Sequence, residues 1–103
     1  MNPKVLSLLG FASKSGNLSF GADAARESLA RKRSRLILVA SDLSAKSRKE
    51  MCYFAARAGV EVLDTGVEME ALYHATGHKG GILSVNDSGF AAAIKGGMAY
   101  GEN

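Results

Sequence analysis

Five basic side chains lie within ten residues of the sequence, a density that suits the binding of phosphate groups. Guanidinium groups bind phosphate oxygens through parallel hydrogen bonds, and Lys or Arg contacts to a nucleic acid release its counterions. The cluster therefore predicts an anionic partner. Its members are Arg26, Arg31, Lys32, Arg33 and Arg35, with Glu27 as the only acid among them, Lys14 before them and Lys46, Arg48 and Lys49 after them.

The charge of the chain is unevenly distributed along the sequence. The net charge is +3, but residues 1–60 carry eleven Lys or Arg against four acids, whereas residues 61–103 carry two against six. Such asymmetry favours one face built for an anionic partner. A solvated helix face without a partner fits the charge pattern equally well.

The segment before the cluster adds a second feature that suits anions. Residues 16–21 begin and end with glycine and lead into a predicted helix, whose first N–H groups favour negative charge. Phe20 is the only aromatic residue near the cluster. Recognition of single strands depends on stacking of bases on aromatic side chains, so this composition favours folded RNA read by shape and backbone.

Residue patterns typical of enzymes are weak. Cys52 lies among alanines without a nearby histidine, which predicts a small buried side chain rather than a nucleophile. His74 and His78 have the spacing of helical metal ligands, but the glycine between them favours a solvated helix end over a zinc site. Asp42 follows a strand and is expected to cap a helix, although such positions can be catalytic. The loop at residues 77–81 lacks the Lys-Ser/Thr pair of a P-loop.

Hydrophobic periodicity predicts alternating helices and strands in the order α-β-α-β-α-β-α-β-α. The apolar run at residues 35–40 reads as a strand buried on both faces. Thr65 and Glu68 match a capping box at the start of the fourth helix. This alternation predicts a three-layer α/β/α sandwich around a mixed four-stranded sheet. The predicted helices cover about residues 3–13, 21–33, 45–58, 65–75 and 86–95, and the strands cover 18–20, 35–40, 60–63 and 81–85.

The 103 residues fit one domain, which we place at residues 1–97 with a frayed tail at 98–103. Cys52 is the only cysteine, and this favours a reducing compartment. The start of the chain lacks the pattern of a signal peptide, and the apolar run at residues 36–40 is too short to span a bilayer. We therefore expect a cytoplasmic monomer that binds no membrane and no cofactor.

Six parts of the sequence carry a resemblance to a known family. They are residues 5–16, 20–21, 35–44, 52, 60–62 and 85–91, of which 35–44 is the most specific. Together they resemble the kink-turn RNA-binding ribosomal protein superfamily, typified by large-subunit proteins seven-Ae and thirty-e, and they look most like its small bacterial YlxQ-type members. The resemblance spans about residues 4–95 and implies the same α/β/α sandwich, with RNA binding and no catalysis.

The resemblance also implies a contact edge at the start of the second helix. Strong kink-turn binders of the family carry Gly-x-Asn-Glu there, with a Lys three residues after the Glu. Gly21 matches the glycine, but Asp23 stands at the Asn position, Ala24 at the Glu position and Glu27 at the Lys position. Asp23 can accept a hydrogen bond from a guanine but cannot donate one, and Glu27 would repel a phosphate.

A second contact surface implied by the resemblance is the loop at residues 76–81. Lys79 is its expected phosphate contact, while Gly80 and Gly81 either let RNA approach the backbone or simply serve the turn. Asp23 is the expected base reader. The other expected phosphate contacts form a cationic rim around the start of the second helix, although they cannot all share one helix face. They are Lys14, Arg26, Arg31, Lys32 and Arg33.

Taken together, the sequence predicts a non-catalytic protein that binds structured RNA, either ribosomal or kink-turn-like, with ribosomal RNA the expected partner. Ribosomal proteins or assembly factors are further expected partners. The altered contact residues support an alternative, a protein-interaction module that keeps the fold with weakened RNA binding. A nucleotide-binding enzyme that uses Asp42 and the loop at residues 77–81 is the third interpretation, and it requires a deep polar pocket.

Overall fold

Nine elements alternate along the chain in the predicted order. The computed structural model of the protein describes residues 2–100, and the side chains of residues 2–98. The helices are α1 (Pro3–Lys14), α2 (Ala22–Ala30), α3 (Ala45–Ala58), α4 (Met69–Thr76) and α5 (Ser88–Tyr100). The strands are β1 (Leu18–Phe20), β2 (Leu36–Val39), β3 (Val62–Asp64) and β4 (Ile82–Val85).

The four strands form one mixed sheet in the order β1-β4-β2-β3. Strand β4 pairs antiparallel with both β1 and β2, while β2 and β3 are parallel. Strands β1, β2 and β3 therefore all point the same way. We call the end of the sheet where these three strands finish the upper end, and the opposite end the lower end. Helices α2 and α3 both begin at the upper end and run down to the lower end.

Strand β2 is buried on both faces and divides the interior into two cores. Leu36 and Leu38 belong to the core shared with α1, α4 and α5, whereas Ile37 and Val39 belong to the core shared with α2 and α3. Because successive side chains of a strand point to opposite faces, a continuous apolar run is what two covered faces require. The predicted three-layer sandwich is confirmed, with two helices on one face and three on the other.

Local capping signals mark most of the helix ends correctly. The Asn2 side chain accepts a hydrogen bond of 2.9 Å from the Val5 N–H, with proline at the first turn of α1. Asp87 Oδ2 accepts 2.8 Å from the Phe90 N–H at the start of α5. Gly59 and Gly77 follow α3 and α4 in the left-handed conformation, where a residue with a Cβ is strained.

The predicted capping box at the start of α4 is wrong. Helix α4 begins at Met69, and the Thr65 hydroxyl instead donates to the Val67 carbonyl, at 3.1 Å. Glu68 makes no side-chain cap. The Met69 N–H donates to Asp42 Oδ1 at 3.0 Å, from a loop 27 residues earlier in the chain. Asp42 is thus a capping residue, as predicted, but it caps α4.

Two further expectations are corrected by the packing of α3 and α5. Cys52 is exposed and not buried as expected. Met51 and Ala55, four residues apart, form the buried stripe of α3, and Cys52 lies beside that stripe. Helix α5 extends to Tyr100, so the expected tail at 98–100 is helical, and residues 101–103 lie outside the described range. Gly97 permits this continuation, since a Cβ there would lie 2.5 Å from Val5 Cγ2. Within residues 2–100, no helix is long and apolar enough to cross a membrane.

Candidate nucleic-acid interface

Two glycines bring the start of α2 against the loop before β4. The Gly21 N–H donates to the Ile82 carbonyl at 2.9 Å and extends the pairing of β1 with β4 by one residue. A Cβ on Gly80 would lie 3.8 Å from the Gly21 nitrogen. Gly21 and Gly80 have φ values of 90° and 137°, a region that favours glycine. The two contact regions implied by the resemblance therefore meet at the upper end of the sheet.

Aromatic stacking holds the loop before β4 against the end of β1. The rings of Phe20 and His78 are nearly parallel, with an interplanar angle of 15° and centroids 4.0 Å apart. The His78 N–H also donates to Thr76 Oγ1 at 3.2 Å, which anchors the loop to the end of α4. We call residues 20–24 together with residues 78–80 the junction surface.

The start of α2 contributes unpaired backbone donors to the junction surface. Gly21 occupies the N-cap position and has no side chain to accept a hydrogen bond. The first intrahelical bond runs from the Ala25 N–H to the Gly21 carbonyl, at 3.0 Å. The N–H groups of residues 22–24 consequently have no acceptor within the helix, and such groups favour an anion.

The exposed ridge of α2 is neutralised by its own ion pairs. Arg26 Nη2 lies 2.9 Å from Asp23 Oδ1, and Arg31 Nε lies 3.0 Å from Glu27 Oε1. Both pairs are exposed, and the Asp23 side chain keeps 95% of its surface accessible. Exposed pairs contribute only about 0.2–1 kcal/mol each. A phosphate can therefore compete for the two arginines at little cost, while Ala24 offers no polar group.

Lys79 is the predicted cation that belongs to the junction surface. Its side chain is exposed, and Nζ lies 5.9 Å from the centroid of the Tyr73 ring on α4. Lys14 ends α1, on the face of the sheet opposite α2, and lines a shallow groove with Phe11 and His74. Lys14 therefore belongs to a different surface.

The remaining predicted cations lie in the middle of α2 or toward the lower end. Helix α2 has nine residues and is about 14 Å long, so Lys32 and Arg33, which follow it, are remote from Gly21. Arg26 turns toward α3, with its guanidinium carbon 5.2 Å from the centroid of the Phe54 ring. The expected cationic rim around the start of α2 is therefore wrong. The cluster spreads from the middle of this short helix to beyond its last residue, and over several of its sides.

Arg26 and Lys32 instead share a groove between α2 and α3. Arg35, from the start of β2, and Arg57, from the end of α3, complete its cationic lining. Arg57 was not predicted as part of any site, because 22 residues separate it from Arg35 in the chain. We call this concavity, of about 830 Å³, the α2–α3 groove. It is lined by Arg26, Leu29, Ala30, Lys32, Ser34, Arg35, Phe54, Arg57, Ala58, Gly59 and Val60.

A buried chain of hydroxyl and amide groups connects α2 to β1 and β4. Sequence reasoning did not predict it. Ser84 Oγ, fully buried, donates to Asn86 Oδ1 at 2.7 Å and lies 2.7 Å from Ser34 Oγ. Asn86 Nδ2 donates to Ser19 Oγ at 2.8 Å, and Ser19 lies 3.0 Å from the buried Ser28 of α2. Scattered serines carry no periodic signal, so only the fold reveals that they connect.

The residues considered for catalysis or metal binding do not converge. His74 Nε2 lies 3.7 Å from Glu70 Oε1, while His78 follows the helix and stacks on Phe20. Asp42 is engaged with the Met69 N–H. Within residues 2–100, no group of three or more His, Cys, Asp or Glu side chains could hold a metal ion.

Comparisons with known proteins relate the chain to others through its fold. No protein-family model and no curated protein matches its sequence. One solved structure is that of a protein with unknown function from Bacillus halodurans C. Its TM-score is 0.89 at 23% identity, and the match covers 95% of this chain and 99% of that chain. The 15.5-kD RNA-binding protein of Giardia lamblia has a TM-score of 0.72 at 15% identity, covering 96% and 88%. At these identities the likeness establishes a shared fold.

Proposed function

We propose that this protein binds structured RNA and catalyses no reaction. The observation that carries the proposal is the contact of Gly80 with Gly21, which joins the start of α2 and the loop before β4 into one surface. That surface combines unpaired backbone N–H groups, two bare glycine positions and the Lys79 ammonium group. Backbone donors and a nearby cation suit phosphate oxygens, and glycines let a sugar-phosphate chain approach closely.

The shared fold with an RNA-binding protein of Giardia lamblia supports this proposal. So does the resemblance of residues 5–16 and 35–44 to the kink-turn RNA-binding superfamily. We propose ribosomal RNA, or an RNA encountered during ribosome assembly, as the partner. Ribosomal proteins or assembly factors would then be neighbours of the bound protein.

The chemistry of the contact edge argues for RNA recognition that differs from strong kink-turn binding. Asp23 and Glu27 hold Arg26 and Arg31 in ion pairs, and Ala24 presents no hydrogen-bonding group. Guanine edges in a kink-turn need both donors and acceptors at these positions. We therefore propose binding governed mainly by backbone contacts and RNA shape.

A gel-shift titration with three RNAs tests the proposal: a kink-turn, a ribosomal RNA fragment and a plain duplex, each at two salt concentrations. Backbone binding predicts that affinity falls with salt, with a log–log slope of about 0.7–0.9 per phosphate contact. Failure to bind any of the three RNAs, or binding that is insensitive to salt, would refute the proposal.

A variant with the kink-turn signature restored tests whether RNA contacts the junction surface. The triple change Asp23→Asn, Ala24→Glu and Glu27→Lys returns the kink-turn signature beside Gly21. Each good base contact contributes about 1–3 kcal/mol of discrimination, so kink-turn affinity should rise at least tenfold over the plain duplex. A control with Glu70→Lys makes the same net change of two charges at an exposed position on α4. An equal gain in that control would point to non-specific attraction.

A protein-interaction module on the same fold is a second candidate function. The ion pairs of Asp23 and Glu27 favour it, because they neutralise the ridge that strong kink-turn binders present to RNA. This alternative predicts that the triple variant binds a kink-turn while the natural chain binds none of the three RNAs.

A further inference from the structure

The α2–α3 groove has a lining that the proposed RNA contact does not use. Four cations enter it from four different parts of the chain: Arg26 from α2, Lys32 from the turn after it, Arg35 from the start of β2 and Arg57 from α3. No carboxylate from residues 2–98 lines the groove. Its volume of about 830 Å³ lies in the range of clefts that bind ligands, about 300–1,000 Å³.

Compensation of helix dipoles explains only part of this concentration of charge. Lys32 and Arg57 lie near the ends of α2 and α3, where a cation is favourable. Arg26 lies in the middle of α2, and Arg35 precedes a strand, so neither stabilises a helix end. Arg26 is paired with Asp23 at 2.9 Å, so the repulsion is among Lys32, Arg35 and Arg57, three like charges around one concavity. An anionic occupant would relieve that repulsion.

Apolar side chains also line the groove and discriminate between classes of anion. They are Leu29, Phe54 and Val60. The Phe54 ring carries the Arg26 guanidinium group at 5.2 Å and meets the Tyr53 ring edge-on at 5.3 Å, so it is a poor platform for a nucleobase. An RNA backbone would satisfy the cations but leave the apolar side chains uncovered. A peptide with both carboxylate and apolar side chains satisfies both.

We propose that the α2–α3 groove binds an acidic peptide segment that also carries apolar side chains. The turn at residues 32–35 and the turn at residues 59–61 lie at the lower end of the sheet, whereas the junction surface lies at the upper end. The peptide and an RNA can therefore be bound together, and the groove does not depend on the proposed RNA contact. Such a protein would connect an RNA to an acidic partner.

The test uses the full chain and a short fluorescein-labelled peptide of Glu and Leu residues. Fluorescence anisotropy measures affinity, and backbone amide shifts in NMR spectra locate the site. We expect shifts at residues 29–35 and 57–60, with the junction surface unperturbed. Replacing Arg35→Gln and Arg57→Gln together should weaken binding about tenfold. The glutamine at position 57 keeps a donor for Tyr53, which Arg57 contacts at 2.8 Å.

A matched control separates the groove from overall charge. Lys4→Gln with Lys49→Gln removes the same charge from exposed positions outside the groove and should leave affinity unchanged. Companion peptides, with Ser for Leu or Gln for Glu, should both bind at least tenfold more weakly. Unchanged affinity of the Arg35/Arg57 variant, or equal binding of the Ser peptide, would overturn the proposal. So would a plain RNA duplex that shifts the groove amides and displaces the peptide.

Discussion

The imidazole ring of His78 lies on the phenyl ring of Phe20, with their centroids 4.0 Å apart. The contact links the last residue of β1 to the loop before β4, beside the point where Gly80 meets Gly21. A loop with glycines at positions 77, 80 and 81 has high conformational entropy when free. The stack reduces that freedom before any RNA binds, and the cost of ordering the loop on binding is correspondingly smaller.

Phe20→Leu should therefore weaken RNA binding while it preserves the fold. Leucine keeps an apolar side chain against the core but cannot stack on His78. We expect a loss of affinity of about three- to tenfold, with faster hydrogen exchange at residues 78–80. Phe11→Leu is the control, since that ring is 62% exposed on α1. Equal losses in both variants would contradict a special role for the stack.

Lys79 and Lys32 should respond differently, because they lie at opposite ends of the sheet. Lys79→Gln removes a cation of the junction surface and should lower the log–log salt slope of RNA binding by about 0.7–0.9. Lys32→Gln should leave that slope unchanged. Titrations across a range of potassium chloride concentrations measure both. A reduced slope for Lys32→Gln would mean that RNA reaches the α2–α3 groove.

The two adjacent glycines of α5 should show opposite effects on stability. A Cβ at Gly96 meets no atom within 4 Å, so Gly96→Ala should stabilise the helix by about 0.5–1 kcal/mol. A Cβ at Gly97 would lie 2.5 Å from Cγ2 of the fully buried Val5. Gly97→Ala should therefore cost about 1–3 kcal/mol. Urea denaturation gives both values, and the same sign for both would be inconsistent with this packing of α5 on α1.

Ser84→Ala should destabilise the protein more than its small change in volume suggests. The Ser84 hydroxyl is fully buried and connects Ser34 to Asn86. Its removal leaves buried polar groups without a partner, at a cost of about 1–3 kcal/mol. Ser7→Ala, at an exposed position on α1, should change stability by less than about 0.5 kcal/mol. Thermal unfolding compares the two, and a Ser84→Ala variant as stable as the control would show that the network contributes nothing.

Asp42→Ala should loosen α4, whereas Glu68→Ala should not. Asp42 Oδ1 accepts the hydrogen bond from the Met69 N–H, and loss of such a cap costs about 1 kcal/mol. Glu68 makes no cap despite its position in the sequence motif. Hydrogen exchange at residues 69–72 reports on this end of the helix. Greater loosening by Glu68→Ala than by Asp42→Ala would contradict this assignment and support the capping box predicted from the sequence.

The order of the elements and the layers of the fold were predictable because their signals are local. The apolar run of β2 requires two covered faces, and Asn2, Gly59, Gly77 and Asp87 act within three or four residues of themselves. Signals from distant parts of the chain were not predictable. Asp42 caps a helix 27 residues away, and nothing in the sequence near Met69 indicates that partner.

The candidate site was predicted in part, because only its local signals can be read from the sequence. Gly21 and the loop at residues 76–81 were both identified, and the antiparallel pairing of β1 with β4 brings them together. Sequence patterns did not predict where the long basic side chains point. Arg26 and Arg31 turn to carboxylates on their own helix, while Lys32 joins Arg35 and Arg57 in a groove that exists only after α2 packs on α3.

The two edge strands of the sheet, β1 and β3, are each three residues long. An exposed edge can recruit a strand from another molecule, and the strength of such recruitment grows with the number of free backbone groups. Edges this short offer too few hydrogen bonds to nucleate a continuous cross-β stack. The protein should consequently tolerate high local concentration without forming fibrils through its sheet.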